Sequence, residues 1–149
     1  MDTLEEIVQI NASANADFRS RVESLSAEEL CTPMEAGWTV SAVLAHLAFW
    51  DQRAITLIKK WKREGVGESP IDTDVVNEVT RRLCLVIPPQ AAVRLVLSAA
   101  DGIDGLIQGL SPEVLEAIQT KGTTVHLNQA QHRRTHLDEI EKALRAKRG

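Results

Sequence analysis

The chain has 149 residues, 44% of them hydrophobic and 26% charged, with a net charge of −4. That length fits one domain spanning residues 1–149, able to bury a core without disulfides or a structural metal. The acidic balance supplies no electrostatic footprint for nucleic acid, and no run of apolar residues is long enough for a membrane span. Tyrosine is absent and aromatics total 3%, so the Ala- and Leu-rich composition leans toward helix.

Residues 3–24 place Leu4, Ile7, Val8, Ala14, Phe18 and Val22 at three- and four-residue steps, which predicts one long amphipathic helix. Ser26 with Glu29 matches a capping box, so a short helical turn precedes the loop at residues 31–37. Thr39 caps a second long helix over residues 40–64, which Gly65 ends. Residues 65–72 are rich in Gly, Ser and Pro and read as loop.

Residues 74–86 resume as helix until Pro88 and Pro89, a pair suited to the start of the next element. The third long helix covers residues 90–107, with Val93, Leu97, Ala100, Ile103 and Leu106 on one face. Ser111 followed by Pro112 starts another short turn. Gly122 interrupts the chain, and Thr123 or Thr124 caps a last helix to about residue 145. Two β-like patches, residues 83–87 and 123–127, read as helix or loop because isolated strands lack partners. The predicted fold is all-α, a four-helix bundle. The connection over residues 65–89 is long enough to cross the bundle lengthwise, which permits an up-down-down-up order.

His132 and His136 are four apart, so on a helix their imidazoles share one face. Continuing by four reaches Ile140 and Leu144, which places both histidines on the core-facing stripe. His46 lies three after Val43 and four before Trp50, within the apolar stripe of the second helix. Burying three imidazoles without partners would cost roughly 1–3 kcal/mol for each unsatisfied group. One shared divalent cation held by His46, His132 and His136 satisfies all three; zinc or nickel suits imidazole best, and iron, copper or manganese remain open. His126 reads as a surface or capping residue.

Other groups have plainer readings. Asp51, five after His46, points away from that ligand. Glu139, three after His136, is either near the site or solvated. Arg133 and Arg134 flank the histidine pair and read as a solvated face that could also steer an anion. Trp38, Trp50 and Trp61 line a pocket or pack the core. The basic residues between Lys142 and Arg148 suit the carbonyl end of a helix. Cys31 and Cys84 form no CxxC pair, which points to a reduced, cytoplasmic chain while leaving a bridge between them open. Residues 1–10 are acidic and lack the features of a signal peptide.

The stretch Gly37-Trp38-Thr39-Val40-Ser41-Ala42-Val43-Leu44-Ala45-His46-Leu47-Ala48-Phe49-Trp50-Asp51 resembles the signature of the DinB/YfiT-like superfamily. There a Trp-Ser/Thr-Val element opens the second helix, and the histidine of a His-Leu pair is the first metal ligand. A His-x-x-x-His pair on the last helix supplies the others, matched by His132 and His136. The resemblance implies an up-down-down-up bundle, frequently a homodimer, with a histidine triad for zinc, nickel or a similar ion. It also implies a small-molecule substrate. Related members include isomerases and transferases that use low-molecular-weight thiols such as mycothiol or bacillithiol, and metal-dependent hydrolases. No motif in this chain selects among these activities. The expectation from another class is a non-enzymatic bundle, a metal-stabilised dimer or a small-molecule binder, with an exposed apolar stripe on the first or third long helix.

Overall fold

The computed structural model describes residues 2–122 and 124–148. Among them are the α-helices α1 (Leu4–Glu23), α2 (Ala27–Leu30), α3 (Val40–Glu64), α4 (Thr73–Leu85), α5 (Pro89–Gln108), α6 (Pro112–Lys121) and α7 (Ala130–Arg148). A single 3-10 turn, Glu35–Gly37, precedes α3. The described residues form no strand; one isolated bridge pairs Pro33 with Thr39. The molecule is an all-α helical bundle, and no helix of the described residues is long and apolar enough to cross a membrane.

Local chemistry sets most of the boundaries. The Thr3 hydroxyl accepts from the Glu6 backbone N–H at 3.2 Å, while Glu6 accepts from the Thr3 N–H at 3.0 Å. Ser26 and Glu29 repeat that reciprocal box at α2. Thr39 caps α3 by accepting from the Ala42 N–H at 3.1 Å. Each such cap satisfies donors that a helix start leaves unpaired. Gly65 ends α3 at φ +95°, a backbone region that favours glycine.

The last helix departs from expectation. It begins at Ala130, well after Thr124, and Thr123 lies outside the described residues. The cause is on α1. Asn11, 1% exposed, donates to the Leu127 carbonyl at 2.8 Å and accepts from the Gln129 N–H at 2.8 Å. Those backbone groups are thereby paired outside a helix. Thr124 caps nothing there; its carbonyl and hydroxyl both accept from Arg53 on α3. At its far end α7 runs to Arg148, which bonds Glu29 at 2.7 Å and so ties the terminus to α2. The patch at residues 83–87 ends α4 and then turns, and residues 124–127 are loop.

Two apolar clusters form the core. One joins Phe18 and Val22 of α1 to Leu44 of α3, Val96 of α5 and Leu137 and Ile140 of α7. The other joins Ile7 of α1 to Ile58 and Trp61 of α3, Ile103 and Ile107 of α5 and Ile118 of α6. Gly102 lets α5 approach α3 closely, since a Cβ there would stand 3.1 Å from the Ile55 Cδ1. A smaller cluster, Ala42, Ala45, Cys84 and Ala92, seats α4 and the start of α5 against α3.

Candidate metal centre

His46 sits in the second turn of α3, 8% exposed, within a run of buried residues from Val40 to Ala48. Trp38 meets its ring edge-to-face at 5.0 Å between centroids, and Trp50 does so at 6.3 Å. From α7, His136 brings its ring to 5.7 Å from that of His46. One turn earlier, His132 places its Nε2 3.2 Å from the Nε2 of His136. The three sequence-selected histidines therefore meet in one place, half of it buried.

Two nitrogens each about 2.0–2.1 Å from a common tetrahedral ion stand roughly 3.3 Å apart. The His132 and His136 pair already has that separation. Among the described residues, however, no three His, Cys, Asp or Glu side chains stand as a formed metal-ligating group. The buried Nδ1 of His46 has no hydrogen-bond partner, which leaves a polar atom of the third candidate unsatisfied.

Electrostatics keep two of the rings neutral. Burial, followed by the neighbouring charge of His136 and His132, lowers the His46 pKa to about 4. Burial also dominates at His132, with His136, His126 and Arg133 adding to it, and its pKa falls to about 4. Neutral imidazole is the form that ligates a metal. His136 differs in having a carboxylate beside it, with the Glu139 Oε2 3.1 Å from its Nδ1. A proton on Nδ1 donated to Glu139 leaves the Nε2 lone pair facing His132. Glu139 is thus exposed yet bonded to the site, where a purely solvated residue was the simpler expectation.

A cleft of about 920 Å³ opens beside His46 and His136. Met34, Trp38 and Val43 give it apolar walls, while Asn77, Glu139 and Lys142 add polar groups. Trp38 therefore borders both the cleft and the histidines. Trp50 borders His46 and donates to Asn77 on α4 at 3.1 Å. Trp61 belongs to the core. His126 is exposed on the loop before α7, as a surface residue would be.

Two residues correct the sequence reading. Arg133 is 3% exposed and forms a two-pronged ion pair with Asp104 of α5, at 2.8 and 3.0 Å. Only Arg134 of the two arginines lies on the solvated face. Asp51, which the sequence reading placed off the ligand side of its helix without calling it buried, lies in the interior, 6% exposed. Burial, reinforced by the Asp104 charge and opposed by Arg133, pushes its pKa up to about 7. The available signal for Arg133 was its place in the stripe Ala130, Leu137, Ile140 and Leu144; its charge argued the other way.

Searches among curated proteins and among solved structures returned no match. The sequence profile of the DinB superfamily matches residues 12–140, a span that includes His46, His132 and His136, and the chain belongs to that superfamily.

Proposed function

We propose that this protein holds one divalent ion, zinc or nickel before iron or manganese, through His46, His132 and His136. On this reading it acts on a small molecule bound in the adjoining cleft. The observation that carries the proposal is the 3.2 Å separation of the His132 and His136 Nε2 atoms, with Glu139 on the far nitrogen of His136. A carboxylate on the outer nitrogen is the usual device that fixes a ligating imidazole's tautomer and raises its basicity. The proposed ligands come from separate helices, as bundle metal sites commonly require.

Three protein ligands leave a coordination position for water or substrate, and a bound ion there would acidify a water or a thiol. The chain's own residues do the rest. Glu139 orients His136. Trp38 and Val43 shed water from the cleft wall beside the rings, and Lys142 presents a cation to the bound molecule. We propose group transfer involving a low-molecular-weight thiol, or hydrolysis, as the reaction class.

The bundle order we propose is up-down-down-up, with the segment between α3 and α5 as the crossover. In support, the first part of α3 shares a cluster with the first part of α5, and their later parts share the other. Both of those first parts also share a cluster with the later parts of α1 and α7. The free thiols of Cys31 and Cys84 support a reducing, cytoplasmic setting.

A second reading, a metal-stabilised homodimer without catalysis, draws on exposed Val75, Val79 and Leu83, which form an apolar stripe along α4. That stripe lies on α4, and not on α1 or α5, the two helices on which an exposed stripe was to support dimerisation. Calorimetric titration of metal-stripped, untagged protein with zinc and with nickel tests the main proposal. One site per chain is expected, followed by turnover when a small thiol and an electrophile, or an ester, are supplied. Absence of any saturable site for these ions would defeat it.

A further inference from the structure

The buried positions of α7 are Ala130, Arg133, Leu137, Ile140 and Leu144, spaced three, four, three and four. This is the stripe that packs a helix into a bundle. Four of the five are apolar, and the exception is a guanidinium. Its Nη1 donates to Asp104 Oδ2 at 3.0 Å and to the Asn11 carbonyl at 3.3 Å. Its Nη2 donates to Asp104 Oδ1 at 2.8 Å and to the Ala100 carbonyl at 3.4 Å. One side chain of α7 is therefore fastened to both α1 and α5.

A buried ion pair adds little net stability over a well-packed apolar pair, because both charges lose their water. Its best attested use in a helical core is to fix register. Register is what the histidine pair needs. The apolar residues of the stripe are near-interchangeable, so packing alone discriminates weakly against sliding α7 by a turn, about 5.4 Å. Such a slide would carry His132 to the level His136 now holds. The planar fork of Arg133 meets its carboxylate at one height and one rotation only. With Arg133 turned toward α1 and α5, the preceding His132 faces the His46 side.

We infer that the Arg133–Asp104 pair is a register lock, a positioning device that sets His132 and His136 against His46. Its consequence for ion affinity rests on the metal-site reading; its consequence for ring placement does not. Asn11 reinforces it just upstream by holding the Leu127 carbonyl and the Gln129 N–H.

The test is the double variant Arg133→Leu with Asp104→Leu, compared with the wild type at pH 6, where neighbouring Asp51 is mostly the neutral acid, so that apolar side chains fill the space and no charge is stranded. Expected is a melting temperature equal to or above that of the wild type, with zinc affinity weaker by about tenfold or more. In metal-free protein, NMR should show a proton–proton contact between the His46 and His136 rings in the wild type, 5.7 Å apart between centroids, and none in the double variant. Arg133→Lys keeps the charge but loses the fork, and should stay folded while weakening zinc binding several-fold. It supplies the affinity readout if the double variant does not fold. Wild-type zinc affinity and retained ring contact in either folded variant would overturn the lock. A wild type that shows the ring contact yet takes up no zinc would overturn the metal reading, and the ring contact in the variants would still decide the lock.

Discussion

The Nδ1 of His136 and the Oε2 of Glu139 stand 3.1 Å apart on adjacent turns of α7. This contact assigns the two nitrogens of the ring different duties, one to a carboxylate and the other to the interior. Glu139→Ala removes the acceptor and should weaken zinc binding by about ten- to a hundredfold. Glu139→Gln keeps a neutral acceptor and should fall between that variant and the wild type. Competition titration against a chromophoric chelator reads both. Equal affinities in all three proteins would show that the carboxylate is idle.

Asp51 gives a pH signature that needs no metal. Its folded pKa, about 7, lies above the ordinary aspartate value of 3.8, so folding favours the protonated form. Its contribution to stability is intact below that ordinary value and is lost as pH rises through about 7. Asp51→Asn mimics the neutral acid. It should stabilise the fold at pH 8 by about 1–4 kcal/mol and change it little at pH 4. Urea denaturation at the two pH values measures the difference; a gain of the same size at both would show that the carboxyl titrates normally.

The parts of this fold that were legible in the sequence are those written in neighbouring residues. Ser26, Thr39 and Ser111 cap their helices through bonds to residues three positions on. That His132 and His136 share a face was legible because a helix turns once in about four residues; their expected place on the core-facing stripe was not borne out, since that stripe runs through Arg133 and Leu137 and both histidines are half-buried beside it. What stayed hidden depends on distant partners. Asn11 delays the start of α7 from 118 positions away. Arg133 is buried because Asp104, 29 positions earlier, meets it. A charged residue in an apolar stripe carries no local sign of such a partner, so solvent was the default expectation. Glu139 was ambiguous for a different reason, since its exposure is real and its bond to His136 depends on side-chain torsions.

His46 and His132 should remain neutral in mildly acidic solution. Metal-free protein followed by NMR should show both rings titrating near pH 4, well below the free-histidine value of 6.5. Because folding lowers both values, the stability they contribute is complete above pH 6.5 and drains as pH falls toward 4. Midpoints near 6.5 for both would mean that the rings are open to water.

Thr39 starts the helix that carries His46. Thr39→Ala removes the acceptor for the Ala42 N–H and should cost about 1 kcal/mol. Thr39→Ser should restore most of that loss. Chemical denaturation of the two variants checks this, and equal stability for Thr39→Ala and wild type would show that the cap is not needed.

Elemental analysis of untagged protein, run beside His46→Ala and His136→Ala, addresses the central claim most directly. The account predicts about one first-row divalent ion per wild-type chain and its loss from both variants. Full occupancy in both variants, or an empty wild type that cannot be loaded with zinc or nickel, would contradict it.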